Sequence, residues 1–171
     1  KEKGVDFIIC DHHLPAEEIP AAVAVLDPKR NDCNYPFNEL SGCGVGFKLV
    51  QAYAQKHNIP FKEIEHLLDL LVVSIASDIV PLTGENRILA YHGLRQLNHN
   101  PSTGLRAIIE VCGLKDKELK LSDIIFKIGP RINASGRMQT GREAVDLLTE
   151  KNYRQALAMA NQMNEYNEAR K

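Results

Sequence analysis

The sequence predicts an α/β fold in which part of a parallel sheet, with helices around it, is followed by a mainly helical region. Three observations carry this. Val5 to Cys10 is a short, mostly apolar run of β-branched and aromatic residues that stops at Asp11-His12-His13, the profile of a buried parallel strand whose C-terminal end delivers side chains into a crevice. Ala22 to Leu26, closed by Asp27-Pro28, has the same character. Beyond it, apolar residues recur at helical rather than alternating spacing almost to the end.

Ser41-Gly42-Cys43-Gly44-Val45-Gly46 leads into a helix over 44–57, with Val45, Leu49, Ala52 and Tyr53 on one side. A helix over 61–79 follows, because Ile64, Leu67, Leu68, Leu71, Val72, Ile75 and Ile79 obey the i, i+3, i+4, i+7 rule; it is expected at the centre of the core. Further helices are predicted at 85–98, 103–112, 122–128 with Ser122 as cap, 142–149 and 151–170, punctuated by Gly113, Pro130, Gly136 and Gly141. Two strands are fewer than a parallel sheet covered on both faces normally holds. The N-terminal strands of this sheet are therefore expected to be missing from the chain. The competing reading is a helical domain with a minor two-stranded element.

With 171 residues, 44% hydrophobic and 25% charged, the chain can bury a core of its own. No apolar run approaches the roughly 20 residues that span a bilayer, and the start has no signal-peptide pattern. No membrane partner is expected, and a cytoplasmic location is. Lys and Arg total 21 against 22 Asp and Glu, so affinity for a polyanion must come from local clustering. Cys10, Cys33, Cys43 and Cys112 match no zinc-ribbon, thioredoxin or disulfide-framework spacing.

Four groups of residues have the chemistry for a site. Asp11, His12 and His13 at a strand end supply hard and borderline ligands for Mn²⁺, Mg²⁺ or Zn²⁺; a capping Asp with solvent-exposed histidines is the bland alternative. Asp78 falls near the C-terminal end of the most apolar helix, where the helix dipole disfavours an anion and burial needs a compensating cation. It could instead turn outward or accept bonds from the Thr83-Gly84 turn. Lys127 to Arg142 carries four cations and no acid, and its Gly and Pro predict a loop that offers Arg131 or Arg137 to an oxyanion such as phosphate, or simply a solvated basic loop. Gly42, Gly44 and Gly46 could expose helix N-terminal amides to an anion, but close helix packing is the better reading, since no complete Walker or Rossmann pattern is present.

Taken together these segments resemble the DHH phosphoesterase family. G-V-D-F-I-I-C followed by D-H-H-L-P is similar to the family's naming motif, and A-S-D-I-V-P-L to its next acidic motif. D-P-K-R-N-D-C-N-Y-P-F-N-E-L-S-G-C-G-V-G-F-K-L and, most discriminating, I-G-P-R-I-N-A-S-G-R-M resemble the RecJ branch of single-strand-specific DNA exonucleases. The terminal M-N-E-Y-N-E-A-R-K looks like the start of that branch's connecting helix. The resemblance implies a DHH-type sheet, with 1–150 as the C-terminal portion of a DHH phosphoesterase domain and 151–171 as the start of the connecting helix.

The resemblance also implies roles. His12 and Asp78 would ligate metal, Asp11 would be a ligand or partner of one, and His13 would face the scissile phosphate. Arg131, Asn133 and Arg137 would handle phosphate. It implies two Mn²⁺ or Mg²⁺ ions in the complete enzyme and single-stranded DNA degraded 5′ to 3′ in repair and recombination. Two acidic motifs that precede the DHH segment in such proteins are absent, so the isolated chain is expected to be inactive. The alternatives are a DHH phosphodiesterase acting on short oligonucleotides or cyclic dinucleotides, and a non-catalytic nucleic-acid-binding scaffold.

Overall fold

The two predicted strands form and pair in parallel: β1 (Ile8–Cys10) lies beside β2 (Ala24–Leu26), with Ile8 opposite Ala24 and Cys10 opposite Leu26. The computed structural model describes residues 4–138 and 141–169, and the side chains of 135–138 also lie outside the described residues. Asp11 N–H donates to Leu26 O at 2.9 Å, so the ladder continues into the first residue of the Asp-His-His triplet. Leu26 O faces β1, and strand alternation turns Val25 O to the opposite edge. There Arg30 Nη1 donates to Val25 O at 2.7 Å, occupying an acceptor that a further strand would need. Phe7, Ile8 and Val23 are each more than half exposed, the apolar surface expected of part of a larger sheet.

The helices are α1 (Gly42–Lys56), α2 (Leu68–Ser77), α3 (Gly84–His99), α4 (Thr103–Val111), α5 (Leu121–Asp123), α6 (Gly129–Met138), α7 (Arg142–Thr149) and α8 (Tyr153–Ala169). Their apolar stripes meet on α2, where Leu71, Val72 and Ile75 are almost wholly buried. Two features admit α3 so close. Gly93 has no side chain where a Cβ would stand 2.4 Å from Leu68 O, and the buried Asn86 donates to Glu39 O at 2.6 Å and Pro81 O at 3.0 Å. Asp69, also buried, accepts from Leu70 N–H at 2.6 Å and Ser102 N–H at 2.7 Å, tying α2 to the start of α4.

Three expectations are corrected. The single helix over 61–79 is two 3₁₀ turns, Phe61–Glu63 and Glu65–Leu67, ahead of α2. Packing overrides the period there: Phe61 meets Phe47 edge to face, with ring centroids 6.5 Å apart. Ser122 is not the cap of its helix, since the carboxylate of Asp123 accepts the Lys120 N–H at 3.1 Å and starts the turn two residues earlier.

The basic segment from Lys127 onward is not a loop. α5 runs through a π-helical turn, Ile124–Ile128, straight into α6. Gly129 N–H bonds Ile124 O, five residues back, and this wider turn relieves the clash that the Pro130 ring would make with the carbonyl four residues before it.

α8 closes the helical region. Ala156, Ala160 and Met163 are buried, and its first residue is held by Tyr153 Oη donating to Glu110 Oε2 at 2.5 Å, with the Arg106 guanidinium 4.3 Å above the Tyr153 ring. The Lys115 ammonium and then the Tyr153 hydroxyl hold the Glu110 carboxyl below the usual Glu range.

Two outcomes follow. Gly93→Ala forces α3 off the α2 backbone and is expected to lower the thermal midpoint by roughly 3–10 °C; an unchanged melt would show that the two helices separate freely. A lowered folded-state pKa stabilises above the unfolded value of about 4.3 and is lost as pH falls through the folded one. Glu110→Gln is therefore expected to flatten the loss of stability as pH falls below the ordinary Glu value, read from melts at successively lower pH, and parallel curves for both proteins would refute it.

Candidate metal centre

The end of β1 folds back on its own carboxylate. Asp11 Oδ1 accepts from His12 N–H at 2.7 Å, from His13 N–H at 3.2 Å and pairs with His13 Nδ1 at 2.7 Å. The Asp11 carboxyl is accordingly lowered to about 2, first by the His13 ring and then by the two backbone donors. This turn throws the two imidazoles apart in role. The His13 side chain is 78% exposed, whereas that of His12 is 17% exposed and faces inward.

His12 is placed by α1. A Cβ on Gly42 would stand 3.3 Å from His12 Cδ2, so the first residue of the helix leaves room for the ring and nothing more. Ser41 caps that helix by accepting the Gly44 N–H at 3.2 Å. The glycine-rich entry therefore serves close packing, with the imidazole as the group it admits.

Asp78 arrives from the other side as the residue that ends α2. Ser74 Oγ donates to its Oδ2 at 3.2 Å, and the same oxygen lies 3.9 Å from His12 Nε2. Asp78 turns outward, with its side chain 35% exposed, and the donor to its carboxylate, Ser74, is on α2 rather than in the Thr83-Gly84 turn. Residues 66 positions apart in the chain thus converge, too far apart for a hydrogen bond. Two donors at about 2.0–2.2 Å from one divalent ion lie at most roughly 4.4 Å from each other, so the pair fits a shared cation.

One further observation fits a cation here, while His12 Nδ1, the ring nitrogen away from Asp78, is buried with no hydrogen-bond partner. The Cys43 thiol is pushed up to about 11, chiefly by desolvation and then by the negative charges of Asp78 and Asp69, which marks the field at this end of α1 as anionic. Among the described residues no group of three or more His, Cys, Asp or Glu is arranged to hold a metal ion, so His12 and Asp78 stand as a two-donor pair.

The basic segment reaches the same neighbourhood. A Cβ on Gly129 would stand 2.8 Å from Ser77 Oγ, so α6 begins against the residue preceding Asp78. Asn133 is exposed on α6, while Arg131 is turned into the α6–α8 packing. The side chain of Arg137 lies outside the described residues. Sequence reasoning read Gly42 as a close-packing residue without the His12 ring as its partner, and it missed Ser74 and Gly129 as shapers of this site, for which serine or glycine spacing alone holds no signal.

Residues 1–75 match the family model "DHH family, N-terminal domain". The chain is 35% identical over 178 residues to the single-stranded-DNA-specific exonuclease RecJ of Escherichia coli, covering 98% of this chain and 31% of that protein. It is 38% identical over 170 residues to the protein of the same name from Bacillus subtilis, covering 99% of this chain and 21% of that one. The chain thus spans a third or less of the curated relatives it matches. Its structure is similar to the crystal structure of RecJ in complex with Mn²⁺ from Thermus thermophilus, with a TM-score of 0.84 and 29% identity over 99% of this chain and 25% of that one. A structure of exonuclease RecJ bound to manganese gives a TM-score of 0.84 and 30% identity, over 99% of this chain and 42% of that one. The family model matches the first 75 residues, and the similarity to RecJ proteins and structures runs along nearly all of the sequence.

Proposed function

We propose that the chain is the central part of a divalent-metal-dependent phosphodiesterase that degrades single-stranded DNA from the 5′ end. The single observation that carries the reading is the approach of His12 Nε2 to Asp78 Oδ2 at 3.9 Å between two otherwise unrelated elements. Mn²⁺ or Mg²⁺ held by these residues, as a pair of ions in the complete enzyme, would supply Lewis-acid stabilisation of the phosphoryl oxygens and a bound water more acidic than bulk water.

The chain's own residues have distinct tasks in this scheme. His12 and Asp78 are metal ligands. Asp11, ionised across the physiological range, orients His13 through the 2.7 Å contact to Nδ1 and leaves the exposed ring's other nitrogen towards the scissile phosphate; it also stands close enough in sequence to His12 to serve as a ligand. Asn133 and Arg137, on the helix that begins beside Ser77, handle phosphate. RecJ relatives are named as single-stranded-DNA-specific exonucleases, and two RecJ structures hold manganese, which supports the substrate and the cofactor. The remaining ligands come from parts of a longer protein outside residues 1–171, so the 171-residue chain binds metal weakly and hydrolyses little.

The test is cleavage by the full-length protein of a long single strand, a dinucleotide and a cyclic dinucleotide, with Mn²⁺ and with chelator. Metal-dependent loss of the long strand is expected; preference for either dinucleotide favours a small-substrate phosphodiesterase, and binding without cleavage favours a scaffold. Asp78→Asn and His12→Ala are each expected to cut the rate more than about 100-fold. Gly42→Ala, by pressing on the His12 ring, is expected to weaken Mn²⁺ binding by about tenfold in titration calorimetry. A purified 171-residue chain that degrades DNA as fast as the longer protein would falsify the incomplete ligand set.

A further inference from the structure

Arg131 has the wrong surroundings for a phosphate ligand. Its Nε donates to Asn164 Oδ1 on α8 at 2.8 Å, its Nη1 donates to Lys127 O at 2.9 Å, and its Nη2 lies 4.0 Å from Glu168 Oε1 on α8. The side chain is only 15% exposed. Lys127 O is shared, because the Cys112 thiol at the end of α4 also donates to it at 3.6 Å. Four elements, α4, the π turn, α6 and α8, meet at this one planar group.

We infer that Arg131 is a positioning residue, a clasp that seats α8 against α6 and the end of α4. A guanidinium suits the task, since its rigid fork of donors spans acceptors on two helices at once, which the single ammonium of a lysine cannot do. A surface phosphate contact needs the opposite arrangement, a charge standing in solvent with its donors unspent. Arg131 thereby fixes where α8 leaves the domain relative to the helix that starts beside Asp78.

The test uses the full-length protein and three variants, Arg131→Ala, Arg131→Lys and Asn164→Ala, with the Arg131→Ala/Asn164→Ala double variant. The clasp predicts about tenfold faster hydrogen exchange at α8 amides in each single variant, with the double variant little worse than either. It also predicts an unchanged slope of log affinity for single-stranded DNA against log salt. A phosphate ligand gives the reverse: the slope falls by about 0.7 on removing Arg131, α8 stays protected, and Asn164→Ala is silent. That result overturns the inference. Should Arg131→Ala fail to fold, the milder Arg131→Lys and Asn164→Ala carry the same comparison. The exchange measurement needs no nucleic acid, so it decides the clasp even if the nuclease reading fails.

Discussion

The structure depends on the burial of α2. Its leucine, valine and isoleucine side chains form the contact surface for α1, α3 and α6, and removing that apolar area from water is the main drive holding these elements together. Because α2 is packed on several sides, the position of its last turn is fixed to within side-chain tolerance, and Asp78 sits at that turn. A carboxylate on a surface helix would sample a wide volume, whereas this one is presented from the end of a rigid rod.

Close backbone approach sharpens the placement. A methyl group would collide with Leu68 O at Gly93 and with Ser77 Oγ at Gly129, and at Gly42 it would press on the His12 ring. Gly42 and Gly129 flank the His12–Asp78 pair. Around it the electrostatics are one-sided, for the Asp78 and Asp69 charges disfavour ionisation of the Cys43 thiol, and Asp11 keeps its proton off down to about pH 2. Negative charge thus gathers at this end of α1, and His12 Nδ1 is buried beside it without a hydrogen-bond partner.

Both strands, the parallel pairing and helices α1, α3, α4, α7 and α8 were legible, because their apolar periods and their Ser, Gly and Pro boundaries act locally. Misreadings fell where distant packing overrules a local signal. Phe61 follows Phe47 rather than its own helical period, and Asp123 rather than Ser122 takes the capping role. Pro130 and Gly129 looked like breakers, yet a π turn absorbs the proline, and the glycine is there for Ser77, more than fifty residues earlier.

The sequence by itself determined which groups have the chemistry for a metal site: an Asp-His-His at a strand end and a lone acid at the end of the apolar helix. Residue type and neighbouring periodicity are local properties, so they survive being read without coordinates. Only the tertiary structure decided that His12 and Asp78 meet while His13 turns outward, and that Arg131 is spent on Asn164 and Lys127 O. Those outcomes depend on the directions of side chains from helices far apart in the chain, which packing sets and no local pattern encodes.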